Sequence, residues 1–154
     1  MLKITNRDKG IYILEINAEK DFTISTKTFS NFLFKKGFYY YVGSAQKNFR
    51  SRILRHLKKE KIINWHIDHI TTKTSNKIVS VYLFQNMPKN FECELVQTLT
   101  GKGILEYSAN NFGNSDCKIC DSHLLYSEKK IPYSHFSRLY QSIVRFKPSS
   151  KDIS

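Results

Sequence analysis

The chain has 154 residues, 40% apolar, 25% charged and 14% aromatic, which fits one globular domain able to bury roughly two-thirds of its surface and excludes a fibrous or disordered chain. Lys and Arg number 25 against 13 Asp and Glu, a formal charge of +12; such a field attracts polyanions, nucleic acid above all, or only keeps the protein dispersed. No run of about 18 apolar residues occurs, which excludes a membrane-spanning helix, and with three cysteines and no apolar signal core at the N-terminus a reducing cytoplasm is the expected compartment.

Gly10 to Ile16 alternates β-branched and aromatic residues and predicts a well-buried strand. Asp21 to Phe34 predicts a second extended stretch, and after the turn signal Lys35-Lys36-Gly37 the aromatics of Phe38 to Val42 predict another strand. Phe49, Ile53 and Leu57 mark the core stripe of a helix from about Lys47 to Lys61, which places Arg52 and His56 one turn apart on a shared face. Asn64 is the expected cap of a short helix over Trp65 to Ile70, and Lys77 to Phe84 the next strand, ending in the turn Asn86-Met87-Pro88. Phe91, Leu95 and Leu99 predict a helix stopped by Gly101 and Gly103, with Glu94 beside its stripe. Beyond a turn-rich stretch, Leu124 to Tyr126 predicts a closing strand and Ser134 to Phe146 a helix carrying Phe136, Leu139, Tyr140 and Ile143. Residues 1–126 are expected to form the domain, with 127–154 a helical extension packed on it.

Several residues have two readings on sequence alone. Tyr12 and Tyr41 are ordinary strand aromatics or site residues, and Arg52 with His56 is a solvated basic face or a pair converging on one ligand. The segment Lys47 to Lys61 holds seven Lys and Arg against Glu60 alone; Lys47, Arg50, Arg55, Lys58 and Lys59 are candidates for phosphate contact, with Tyr39 and Tyr40 as stacking or packing aromatics. Cys117, Cys120 and His123 have spacing that suits zinc, with a fourth ligand to be found among His66, His69 and His135; otherwise the thiols are plain buried or exposed groups. His66 and His69, flanking Asp68, are second-tier candidates for phosphate or metal contact.

The ordered set Gly10-Ile11-Tyr12, Tyr41-Val42-Gly43, Arg52, His56 and a helical glutamate resembles the GIY-YIG nuclease superfamily. The likeness is closest to a poorly characterised branch with Tyr-Val-Gly-Ser-Ala, Trp-His-Ile-Asp, Cys-Glu-Leu, Ser-Asp-Cys and Ser-His-Leu motifs, here Tyr41 to Ala45, Trp65 to Asp68, Cys93 to Leu95, Ser115 to Cys117 and Ser122 to Leu124. The resemblance implies an α+β fold with a small, mainly antiparallel sheet flanked by helices, and a Mg- or Mn-assisted endonuclease that hydrolyses DNA phosphodiesters in repair or processing. It implies that Tyr12 helps activate water, Tyr41 holds water or phosphate, Arg52 stabilises phosphoryl charge, His56 binds phosphate or moves a proton, and Glu94 holds the cation. One of Asn110, Asn111 and Asn114 would match a late polar residue. A non-catalytic nucleic-acid-binding module on the same fold and a zinc-stabilised interaction domain are the rival readings. The long segment between Ile13 and Tyr40 replaces a tight hairpin and is expected to reshape or cover the site.

Overall fold

The computed structural model of the protein describes residues 2–113, 117–140 and 142–153. Strand β1 (Gly10–Ala18) is the spine, paired along its whole length with β2 (Gly37–Ala45) on one side and β3 (Asn76–Gln85) on the other. With β4 (Glu106–Tyr107), β5 (Leu124–Ser127) and β6 (Val144–Phe146) they form a six-stranded sheet in the order β4-β5-β2-β1-β3-β6, every pair antiparallel. The helices are α1 (Phe49–Leu57), α2 (His66–Thr71), α3 (Phe91–Gly101), α4 (Tyr133–Ser137) and α5 (Ser150–Ile153). This is the expected α+β architecture. No helix is long and apolar enough to cross a membrane among the described residues.

Both faces of the sheet are covered, which is why β1 reads as a nearly continuous apolar run instead of a half-polar strand. Tyr12, Leu14 and Ile16 pack on one side with Phe49 and Ile53 of α1 and Ile67 and Ile70 of α2. Ile11 and Ile13 face the other way, against Phe91, Leu95 and Leu99 of α3 and Phe136 of α4. The single charge on the strand, Glu15, is fully buried, where its carboxylate accepts the Tyr40 hydroxyl at 2.8 Å with the Lys130 ammonium 4.0 Å away. A bulge between Glu15 and Ile16 shifts the β1–β3 register.

The register makes the two glycine-bearing motifs cross-strand partners. Tyr12 lies opposite Gly43, and a side chain at 43 would overlap the Tyr12 ring and hydroxyl. Gly10 lies against β3 so closely that a Cβ there would run into the Phe84 carbonyl oxygen.

Four elements depart from the sequence expectations. The helix expected from Lys47 to Lys61 runs only over Phe49–Leu57, because Lys58 turns extended and the following lysines act as caps. Lys61 Nζ donates to the Arg55 and His56 carbonyls, each at 3.0 Å, and Lys59 Nζ to those of Thr71 (2.9 Å), Lys73 (2.7 Å) and Asn76; ammonium groups satisfy the carbonyls that helix ends leave unpaired. Trp65, not Asn64, takes the N-cap position of α2, and the Asp68 carboxylate accepts the backbone N–H of both, at 3.0 and 2.9 Å.

The stretch from Asp21 to Phe34 forms only one bridge, Phe22 to Phe34, whose rings stack at 4.9 Å. It covers the core face around Phe29 and Tyr39. The helix expected over Ser134 to Phe146 is confined to Tyr133–Ser137; Phe136 and Ile143 are buried as the periodicity required, but Val144–Phe146 pairs with the outer edge of β3. An open edge recruits a strand, and that long-range pairing outweighs local helical spacing.

The glycines predict a contrast. Gly10→Ala should cost about 1–3 kcal/mol, since its Cβ meets backbone that cannot rotate away; Gly101→Ala, at the end of α3 with open space around it, should be neutral or stabilise by up to about 1 kcal/mol. Urea denaturation of both variants measures the difference, and equal effects would contradict the register described here.

Candidate functional site

The pairing of β1 with β2 and the packing of α1 across that sheet face bring four of the sequence candidates to one place. The Tyr12 hydroxyl lies 2.7 Å from Nε2 of His56 on α1, both groups buried. Tyr41, two residues before Gly43 on β2, packs its ring edge-on to His56 at 6.3 Å. Arg52, one turn before His56, donates from Nη1 to the Ser44 carbonyl at 2.9 Å, and its guanidinium sits 5.1 Å from the Trp65 ring centre. These residues open onto a cleft of about 1040 Å³ whose opposite wall is Glu92 and Cys93 of α3 with Cys117, Lys118, Ile119 and His123.

Glu94 is not in that wall. It is exposed, while Glu92 lines the cleft and is only 12% exposed. Residues two apart on a helix point about 200° apart, so with Glu92 turned inward Glu94 must turn out. Their fields agree with this: the Glu92 charge raises the Tyr12 and Tyr41 phenols, whereas that of Glu94 acts on Tyr140 on the far side of the sheet.

Burial is the main cause of the proton affinities here. It pushes the Tyr12 and Tyr41 phenols well above their ordinary value, the Arg52 cation opposing in both cases. It also lowers His56 from 6.5 to about 3, reinforced by Lys61, Arg55 and Arg52 and opposed by Asp68. At neutral pH the Tyr12–His56 pair is therefore two uncharged groups sharing a hydrogen bond. Nδ1 of His56 is buried without a hydrogen-bond partner among the described residues.

The basic segment divides into two uses. Arg55 grips Asp68 with two bonds of 2.9 Å, donates to the Ile62 carbonyl and lies 4.5 Å from the Trp65 ring. Arg50 donates to the Leu2 carbonyl at 2.5 Å, and Lys59 caps α2. These three, expected to contact phosphate, hold the fold instead. Lys47 lines the cleft and is exposed, as are Lys89 and Lys118 beside it, and Lys58 is exposed on the segment after α1.

His66 lies outside the cleft, edge-on to Phe29 at 5.1 Å and tilted against Phe112 at 5.6 Å. Asn110 and Asn111 are exposed and do not line the cleft, while Asn114, Ser115 and Asp116 lie outside the described residues. The segment between Ile13 and Tyr40 contributes no lining residue among those described, so it leaves the cleft uncovered. Sequence reading gives Trp65 no role beyond heading the Trp-His-Ile-Asp motif, and it passes over Glu92, whose neighbours do carry a signal: Val96 and Leu99 stand at i+4 and i+7 from it, whereas Glu94 aligns with Gln97, Thr98 and Gly101 on a polar face.

In this wall Cys93, Cys117 and His123, with buried Cys120 beside them, place their donor atoms within 4.8 Å of one another, a group able to hold a metal ion. Cys93 and Cys117 are joined as a disulfide, and Cys120 is buried. The fourth member of the cluster expected at Cys117, Cys120 and His123 is Cys93, not His66, His69 or His135.

The sequence model of one family, described as Domain of unknown function DUF123, matches residues 11–145, and the chain belongs to that family. The match runs from β1 into β6 and includes every residue lining the cleft. No curated protein and no solved structure matches the chain.

The depressed proton affinity of His56 predicts acid sensitivity. The unfolded chain protonates near 6.5 while the folded protein resists down to about 3, so this contribution to stability is full above 6.5 and is lost as pH falls below it. Between pH 6.5 and about 5, above the main carboxylate range, stability should fall by about 2 kcal/mol. Urea midpoints against pH measure it, with a flatter profile expected for His56→Gln; a wild-type profile flat across that interval would contradict the burial of a neutral His56.

Proposed function

We propose that the chain is a divalent-cation-dependent nuclease that hydrolyses DNA phosphodiesters on the plan of the GIY-YIG superfamily, with Tyr12, Tyr41, Arg52, His56 and Glu92 as its working residues. The observation that carries this reading is the 2.7 Å contact of the Tyr12 hydroxyl with His56 Nε2 at the base of a cleft that also holds Arg52 and Glu92. A phenol, an imidazole, a guanidinium and one carboxylate are the groups needed to move a proton, balance phosphoryl charge and anchor a hard cation.

The donor set fits magnesium or manganese. Such a cation keeps several waters and needs one or two carboxylates. Glu92 uses Oε1 toward His123 at 2.5 Å, which leaves Oε2 for the cleft, and it takes the role expected of Glu94. A cation held there would polarise a phosphoryl oxygen and ease proton loss from a neighbouring phenol or water.

Arg52 is held in place by the Ser44 carbonyl and the Trp65 face, so its guanidinium meets developing phosphoryl charge without reorganising. Tyr41 donates its hydroxyl to the phosphate. Tyr12 takes the proton of the attacking water as it passes its own to Nε2 of His56, the P–O bond opposite that water breaks, and the departing deoxyribose oxygen takes a proton from solvent. Burial is the main cause that depresses His56, with the Lys61, Arg55 and Arg52 charges adding to it; a bound phosphodiester is an anion and offsets the part due to those cations, which favours proton uptake by the imidazole. Lys47, Lys89 and Lys118 at the rim meet the backbone on either side, giving salt-dependent affinity with little sequence preference.

Incubation with magnesium or manganese and a panel of plasmid, single-stranded, branched and damaged DNA tests this. Arg52→Ala and Glu92→Gln should each lose about 10²–10³ in rate, and Glu94→Gln should cut like wild type. Cleavage undiminished by Arg52→Ala and Glu92→Gln would overturn the assignment; salt-sensitive binding with no cleavage of any substrate would make the protein a nucleic-acid-binding module. Gly43→Ala provides a separate check through Tyr12. Its Cβ displaces the phenol, so the fold loss in rate should exceed that explained by the unfolded fraction in the assay, and an active, well-folded Gly43→Ala protein would contradict the role of Tyr12.

A further inference from the structure

We propose that Cys93, Cys117, Cys120 and His123 bind one zinc ion, and that Glu92 is the carboxylate that orients His123 for it. The inference is independent of the nuclease reading, because it concerns metal content alone.

Three sulfurs and an imidazole nitrogen are the donor set that zinc takes in closed, tetrahedral sites. Here they come from two separate pieces of chain, Cys93 in the first turn of α3 and the other three from the loop leading into β5. Their donor atoms lie within 4.8 Å of one another. His123 Nε2 is 3.6 Å from Cys93 Sγ, which matches the edge of about 3.6 Å that Zn–S of 2.3 Å and Zn–N near 2.05 Å give in a tetrahedron.

The orientation of His123 is the second, independent observation. The ring is 98% buried, with Nε2 toward the sulfurs and Nδ1 2.5 Å from Glu92 Oε1, an ion-pair contact outside hydrogen-bond geometry. A metal-bound histidine characteristically gives its other N–H to a carboxylate, which fixes tautomer and ring plane and makes the ligand more basic. A disulfide between Cys93 and Cys117 accounts for two of the four groups. It gives no reason for a third sulfur and an imidazole to converge on the same point.

The loop carrying three of the ligands has no helix or strand over 117–123, and it exposes Ile119 at 70%. Cys120 and Cys117 hold it against α3 in the apolar cluster with Phe91 and Leu95, and the Cys120 thiol reaches the Cys93 carbonyl at 3.7 Å. In the reduced protein the ion takes over the link that the Cys93–Cys117 bond makes, and so fixes the wall of the cleft from Glu92 to Lys118. Binding takes the reduced form: a thiol reductant supplies the two electrons and two protons that open the Cys93–Cys117 bond, itself becoming a disulfide, and as zinc binds the three thiols lose their protons to solvent while His123 donates its Nε2 lone pair.

Elemental analysis of the full chain, purified under reducing conditions without added zinc or chelator, should find stoichiometric zinc. Replacement by cobalt should give the intense visible bands of tetrahedral thiolate coordination. Cys120→Ser should lose the metal; if that variant does not fold, wild-type metal content and the cobalt spectrum decide the matter. Glu92→Gln should keep the stoichiometry while affinity, measured against a chelating dye, falls about 10- to 100-fold, with Glu94→Gln binding like wild type. Protein without stoichiometric metal, or an octahedral cobalt spectrum, would overturn the site. Unchanged affinity in Glu92→Gln would overturn the orienting role. No arm uses DNA, so failure of the nuclease reading leaves this result standing.

Discussion

The absence of a side chain at position 43 is the constraint on which the site depends. Antiparallel pairing puts Tyr12 opposite Gly43, and the phenol occupies the space that a Cβ would need. From there it reaches across to His56, so strand register, a missing methyl and a helix one layer above fix a single hydrogen bond. The two short motifs are thus one structural feature met twice in the sequence, with the tyrosine of the first stored in the gap of the second.

Around that contact the chain keeps part of its charge at work inside the fold. Asp68 is the hub. Burial acts to raise its carboxyl, but the Arg55 pair, the Asn64 and Trp65 N–H groups and nearby Lys61 hold it below its ordinary value. This network ties α1 to α2 and seats Trp65, whose face then receives Arg52 as well as Arg55. The net positive charge overstates the surface available to a polyanion, because several of the cations satisfy helix-end carbonyls or a buried carboxylate.

What could be read from sequence follows the range of the interactions involved. The strands around Tyr12 and Tyr41 were legible because alternation and β-branched or aromatic residues encode a buried sheet locally. Arg52 and His56 were legible as neighbours because helical spacing places them on one face. Glu92 and Glu94 both flank the apolar stripe, and only the identity of their i+4 neighbours separates the one that lines the cleft from the one that is exposed. The fates of Arg50, Arg55 and Lys59 depend on partners 7 to 48 positions away, and no local pattern reports those. The same holds for β6, which exists because β3 has an edge to fill, and for Cys93, which joins the other thiols through the tertiary fold.

The proposed nuclease chemistry requires a divalent cation on Glu92, facing Tyr12 and Arg52. Manganese anomalous diffraction from crystals holding a short DNA tests it most directly. The expected result is an anomalous peak bonded to the Glu92 carboxylate within the cleft, with a phosphate against Arg52. A cleft without manganese, or an ion seated at Glu94 on the outer face of α3, would contradict it.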